Sequence, residues 1–387
     1  QTHHLLEVRD PSRRLRVAME EIPAPNEDAH RISLRRMRVL IADPPAYTPA
    51  YDHELAAALG RAGAEVELVT APFRFGDVPV PDRYRREDLF YPVSSRLFRR
   101  SPLRLPLKGA EHLLGIARLN RRRPDVLHLQ WLAAPQVDAR FLRLGDASVF
   151  TAHDLLPRRT AAKRDLWRRL LTRFGRVVVH SDHGADALAD LGVPRDRLRV
   201  IPHPVFRSEA PRTDDGHTVL CLGVIRPYKG LDDAIAAVKR VDGARLLVAG
   251  DPMEPVDRYR EAAGSTAEWR LGYLREAEFD RALGESTVAL FPYRPELDQS
   301  GALLSALGAG VPAIAYDVGG IAEPVRRFGA GRVVAPGDVD GLAAALEELL
   351  GDADALAAAR AGANAARDAL TWDASAAAHL ELYRELL

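Results

Sequence analysis

An α/β chain built on two doubly wound parallel sheets is what three features of the sequence predict. A strand–helix–strand rhythm with short links begins at Met37, the rhythm restarts after a proline- and charge-rich stretch near residue 206, and the 387 residues exceed one ordinary core. The expected division is an N-terminal extension over 1–36, a Rossmann-like domain over 37–205, a second over 206–370, and a closing helix over 371–387.

The opening segment, QTHHLLEVRDPSRRLRVAMEEIPAPNEDAHRISLRR, is polar and without sustained period, and His3 and His4 within it read as a solvated pair. MRVLIADPP is a β-rich run stopped by prolines. In YDHELAAALGRAG, Leu55, Ala58 and Leu59 fall at helical spacing before Gly63 closes the helix, and VELVT gives the next strand. PDVLHLQW, ASVFTAHD and RVVVHS repeat the pattern, each an apolar strand ending in polar or aromatic residues. Ligands of open parallel sheets gather beyond the carboxyl ends of strands, so His128, Gln130, His153, Asp154, His180 and Ser181 are expected at one cleft. VIPHPVF and the linker RSEAPRTDDGH lead into the second series: HTVLCLGVI, ARLLVAGDP, STVALFPYR and VPAIAYDVGG. TWDASAAAHLELYRELL then carries Ala376, Leu380, Tyr383 and Leu387 at helical spacing.

Fifty-four basic residues balance fifty-four acidic ones, so no overall charge recruits nucleic acid, and a 47% apolar share suffices for two cores. The single cysteine, Cys221, lies in VLCLGVI and reads as a buried, inert thiol. A disulfide within the chain is impossible, which fits a reducing compartment. With neither a spanning apolar run nor a charged–apolar–small leader, a cytoplasmic protein is expected, soluble or resting on a membrane.

The chemistry gathers in the second series. In GVIRPYKGLDDAI, Arg226 and Lys229 stand at a strand-to-helix turn, where a planar guanidinium and a compact ammonium suit a diphosphate, although paired surface cations are also commonly solvated. In LDQSGALLSALGAG, Asp298, Gln299, Ser300 and Gly301 precede a helix whose first N–H groups form an anion cradle. LGYLREAEF supplies a loop able to read a base edge. The absence of GxGxxG argues against a dinucleotide fingerprint.

Together these segments resemble the retaining glycosyltransferases of family four, which share the two-domain GT-B fold. The similarity runs through GVIRPYKGLDDAI, RLLVAGDP, LGYLREAEF, FPYRPELDQSGALLSALGAGVPAIAYDVGGIAEPV, GRVVAPGDVDGLAAAL and the terminal TWDASAAAHLELYRELL, and it reaches nearly the whole chain from Met37. The resemblance implies two facing Rossmann-like domains with a C-terminal helix closing back towards the first. It also implies transfer of a sugar from a UDP- or GDP-linked donor to a hydroxyl with retention of configuration, without metal or cofactor. By the same resemblance Arg226 and Lys229 hold the donor diphosphate beside Gly223, Leu271, Gly272 and Tyr273 border the base, and the turn before Gly301 faces the donor sugar. An acidic pair eight residues apart is usual around that helix. Leu297 and Ser305 occupy those positions here, so Asp298 or Gln299 is expected to meet the sugar hydroxyls and Ser305 the ribose. Val224 replaces the usual arginine, with Arg226 as its substitute.

On the acceptor side DPPAYTPAYD stands in place of a glycine-rich loop, and Pro45, Tyr47 and Tyr51 are expected to form a stiff aromatic wall. The resemblance sets His153 near the donor sugar, with His180 a further candidate. The acceptor class spans glycans, lipid-linked sugars and small molecules. From Tyr84 to Arg123 basic residues outnumber acidic ones, with Phe, Tyr and Leu interleaved, and this fits either peripheral contact with an anionic membrane or a solvated arginine-rich face. A sugar-nucleotide epimerase of the same fold and a catalytically weak sugar-nucleotide-binding paralogue are the alternative readings.

Overall fold

Runs such as RVLIA (Arg38–Ala42) and RLLVAG (Arg245–Gly250) are apolar at consecutive positions, as strands covered by helices on both faces must be. The computed structural model describes residues 36–74, 76–96, 104–157, 160–294 and 298–387; His3, His4, Arg99, Arg100 and Leu297 lie outside the described residues. In chain order the first half contains β1 (Arg38–Ala42), α1 (Pro49–Arg61), β2 (Glu65–Thr70), β3 (Tyr84–Asp88), α2 (Arg104–Leu119), β4 (Val126–Leu129), α3 (Pro135–Phe141), β5 (Ser148–Thr151), α4 (Arg164–Leu171), β6 (Arg176–Val179), α5 (Asp182–Asp190) and β7 (Leu198–Val200). The second contains β8 (Thr218–Leu222), α6 (Leu231–Val238), β9 (Arg245–Gly250), α7 (Asp257–Ala263), β10 (Ala267–Leu271), α8 (Glu276–Gly284), β11 (Val288–Phe291), α9 (Gly301–Gly308), β12 (Ala313–Tyr316), α10 (Ala322–Phe328) and β13 (Gly331–Val334), followed by α11 (Val339–Gly351), α12 (Ala353–Ala369) and α13 (Trp372–Arg384).

The strands form two wholly parallel sheets, ordered β3-β2-β1-β4-β5-β6-β7 and β10-β9-β8-β11-β12-β13. Each order reverses once, between β1 and β4 and between β8 and β11. At such a reversal the connections leave in opposite directions and open a crevice beyond the strand ends. Leu246, Val248, Leu290 and Ile314 pack one face of the second sheet, and Leu220, Leu247, Ala289 and Phe291 pack the other, so alternate residues of the same strands feed two cores. Phe90, Trp167 and Phe174 anchor a core of the first half.

The chain crosses between the halves after β7 and again between α12 and α13. Val205 N donates to Leu370 O at 2.9 Å, tying the crossings side by side. The last helix turns back onto the first half as expected: Tyr383 Oη meets His128 Nδ1 at 2.6 Å, and Arg61 pairs with Asp373.

Where the crossings meet, Tyr51 is ringed by His153, His203 and Trp372 with centroids 4.6, 5.0 and 5.0 Å away, and His180 lies at 5.7 Å. Burial holds these imidazoles neutral: His180 is lowered to about 4 and His203 to about 3, from an ordinary 6.5. The unfolded chain therefore takes up protons below 6.5 that the folded chain refuses, so the histidines' contribution to stability is lost as pH falls from 6.5 towards 4. Buried carboxyls with raised pKa act in the opposite sense, and a comparison with a variant cancels them. The melting temperature of wild type minus that of His203→Gln should shrink steadily as pH falls through that window; a gap independent of pH would show that His203 does not titrate between the two states.

Candidate active site

The crevice at the β8/β11 reversal is lined by Gly223, Lys229 and Tyr293, with Cys221 at its floor. Cys221 is only partly buried, which departs from the sequence expectation, but the burial of its thiol raises it to about 12 and leaves it unreactive near neutrality. After β8 the chain makes the tight turn Pro227–Lys229 and then enters α6 through Gly230 at φ 67°. A Cβ there would stand 1.9 Å from Pro292 O, so the turn presses against the end of β11 in a way only glycine permits.

That contact brings together two motifs far apart in sequence. Lys229 Nζ donates to Tyr293 Oη and lies 4.1 Å from the Tyr293 ring centroid. Tyr293 Oη shares a 3.1 Å hydrogen bond with Ser300 Oγ, and Ser300 Oγ caps α9 by accepting from Leu303 N. Burial raises the Tyr293 hydroxyl, which stays protonated beside the ammonium. Gly301 is exposed at the helix start, and nothing lies within 4 Å of where its Cβ would be. Arg226 is exposed on the same turn as Lys229. Beyond β9 and β10, Gly272 N donates to Gly250 O, and Tyr273 extends so far towards the first half that a Cβ on Gly76 would meet its hydroxyl at 2.4 Å.

Several expected residues are placed otherwise. Asp298 does not open towards the crevice: Oδ1 accepts from Ser181 Oγ (2.5 Å) and Gly320 N (3.2 Å), joining the halves, while burial raises its pKa and Oδ2 has no partner. Gln299 also reaches across, donating to His180 O at 3.4 Å. Ser305 is buried, and its hydroxyl turns back to Gly301 O at 2.9 Å, as a mid-helix serine does, so it offers no group to a ribose in this arrangement. Beside these contacts Glu323 accepts from Asp182 N and His183 N at the start of α5.

On the opposite wall, the loop from Asp43 to Asp52 is braced from within. Asp43 Oδ2 accepts from Thr48 N, the Thr48 hydroxyl faces Asp52, and Trp131 Nε1 donates to that same hydroxyl at 2.9 Å. Burial, reinforced by Asp43, raises the Asp52 carboxyl, so the pair keeps a proton. Tyr47 is 59% exposed and meets Trp131 edge to face at 5.3 Å, and Trp131 stacks on His153. Tyr47, Trp131 and His153, with half-buried Pro45 beside them, thus form the aromatic wall. Tyr51 does not belong to it, because at 2% exposure it lies beneath, in the histidine cluster. His180 is buried with Nδ1 on Ile201 O, and His128 is buried against Thr151 and Tyr383, so neither faces the cleft. His153 is half-buried with Nε2 on Gln130 Oε1 at 2.8 Å, and burial holds it neutral. Tyr293, Trp131 and Glu323 were not foreseen. The first two stand two residues past a strand end, a position that would have revealed them, whereas Glu323 carries no local signal.

Residues 51–208 match a family model described as Glycosyltransferase Family 4, and residues 216–352 match Glycosyl transferases group 1. Sucrose-phosphate synthase from Thermosynechococcus elongatus superimposes with a TM-score of 0.69 at 21% identity, covering 91% of this chain and 99% of that one. HepE from Anabaena in complex with UDP and glucose gives 0.65 at 17% identity, covering 90% and 100%. This chain carries two glycosyltransferase domains in a GT-B fold. Among curated proteins, glycogen synthase of Mycobacterium tuberculosis is 33% identical over 51% of the GT-B chain and 49% of its own length. A GDP-mannose-dependent phosphatidylinositol monomannoside mannosyltransferase of the same organism is 34% identical over 48% and 52%. The chain thus spans about half the length of these relatives. The epimerase reading has no counterpart among these names.

The Lys229–Tyr293–Ser300 bridge yields a direct test. Tyr293→Phe removes both hydrogen bonds and keeps the ring, so unfolding stability should fall by about 1 kcal/mol in denaturant titrations. Ser300→Ala should cost about 1 kcal/mol through the lost cap. The double variant should cost less than the sum of the two, because they share one bond; strict additivity would mean that the bridge carries no energy.

Proposed function

We propose that the chain transfers a sugar from a nucleotide-diphosphate donor to an acceptor hydroxyl with retention of configuration and without a metal. The convergence of Lys229 and the start of α9 on Tyr293, at the strand-order reversal of the second sheet, is the observation that carries this reading. An ammonium, the exposed Arg226 and open helix N–H groups then gather where a diphosphate leaves. Stabilising that developing charge supplies several kcal/mol of catalysis. Tyr293 positions Lys229; Gly301 gives the donor close access to backbone; Leu271, Gly272 and Tyr273 border the base. With Asp298 engaged in the cross-cleft contact, that carboxylate does not serve as a nucleophile. Attack proceeds on the face the diphosphate leaves, through an oxocarbenium-like state, and the diphosphate accepts the acceptor proton. Tyr47, Trp131 and His153 form the acceptor wall. UDP and GDP, both named among the proteins above, are the two donor nucleotides to compare.

Arg226→Ala and Lys229→Ala should each lower turnover about a hundredfold with little change in melting temperature. In the wild type, one family of UDP- or GDP-sugars should raise the melting temperature, and Gly301→Val should abolish that rise without loss of fold. Full turnover in both cation variants would overturn the diphosphate assignment. NMR of the product's anomeric proton decides retention: an inverted linkage would overturn the same-face mechanism.

A further inference from the structure

Helix α2 has two faces of opposite logic. Its inner face is tightly engaged: Glu111 accepts from Val93 N and Ser94 N, His112 bridges Tyr91 Oη and Asp138 at 2.7 Å each, and Gly115 lies against Phe90, where a Cβ would stand 2.4 Å from the ring. These contacts fix the helix's rotation. The outer face is then determined, and every exposed position from 105 to 117 carries an uncharged side chain or none. Leu105, Leu113 and Leu114 are 78, 42 and 59% exposed, with Ala110 and Ala117 between them. An outward helical face is ordinarily polar, and leucines left in water forfeit the gain of burial.

Charge borders this stripe on one side of the balance only. Arg118, Arg121 and Arg123 are exposed where the stripe ends. The helix's one carboxylate, Glu111, is buried and committed to backbone N–H groups. Asn120 donates to Phe141 O at 2.8 Å, which sets the 47% exposed Phe141, with Arg140 beside its ring, next to the helix end. Leucines and a phenylalanine edged by arginines, without an exposed acid on the helix itself and with Glu67 and Glu87 paired to Arg122, complement an apolar layer beneath anionic headgroups. No helix among the described residues is long and apolar enough to cross a membrane, so the contact is a surface one.

We propose that the outer face of α2, with Phe141, docks this chain onto an anionic lipid surface. The stripe enters the headgroup boundary lengthwise, and Arg118, Arg121 and Arg123 engage lipid phosphates. The inference goes beyond the transferase reading and does not depend on it, since lipid binding is measured without a donor or turnover.

The full chain is sedimented with vesicles of phosphatidylcholine alone and of phosphatidylcholine mixed with phosphatidylglycerol, at low and high salt. Binding to the anionic vesicles only, weakened by salt, is expected. Arg118→Glu with Arg121→Glu should weaken it by about tenfold or more, and Leu113→Glu with Leu114→Glu should remove it. Both pairs alter exposed positions, and unchanged melting temperatures verify the fold. Equal binding by the leucine variant, or no binding of wild type at low salt, overturns the proposal. So does a wild-type dimer in sedimentation velocity that the leucine variant abolishes while vesicles stay bare, because the face would then be a self-interface.

Discussion

The N–H groups that open α5 have no partners inside their own helix, and in this chain the second half supplies them. Glu323 accepts from Asp182 and His183, while Ser181 caps Gly184 and donates to Asp298. The positive end of a first-half helix thus meets two carboxylates of the second half beside the crevice. Gly320 fits this contact because it lacks a side chain: a Cβ would stand 2.3 Å from Ser181 Cβ. The separation of the two walls, and hence the room between Lys229 and the aromatic wall, follows from this junction.

The junction also takes up the Asp298 carboxylate just before α9. Ser305 has folded inward and Asp298 serves closure, so among the described residues the helix start offers N–H groups and a capping serine. On the proposed reading this lessens repulsion on a diphosphate held by Lys229. Tyr293 is also the hub between the Pro227–Lys229 turn and the start of α9, since its hydroxyl reaches both.

The fold was legible because parallel strands buried on both faces leave unmistakable apolar runs, and because helices between them end in glycine or proline. The crevice at β8 and β11 was legible for the same reason, since strand ends gather polar residues in a doubly wound sheet. Burial was not. His128 and His180 stand at strand ends and Tyr51 in the first turn of α1, yet α13 returns to cover His128 and Tyr51, a consequence of residues hundreds of positions away, while His180 closes on Ile201 and the neighbouring rings. Likewise Asp298 reads as a ligand in a linear motif, and its partner Ser181 lies in another half of the chain. The basic strip before Arg123 was visible as composition. Which of its leucines face outward depended on Glu111, His112 and Gly115 fixing the helix.

The two crossings of the chain lie side by side, joined by the hydrogen bond from Val205 to Leu370 and packed through His203, Phe206 and Trp372. In mechanical terms a single strand would be a swivel, and two adjoining strands make a door hinge. The halves keep one easy rotation, and twisting about other axes stretches one strand against the other. Lengthening the 206–217 connection by a few residues would slacken one leaf of that hinge, leaving both sheets intact while loosening the register between the Lys229 turn and the aromatic wall.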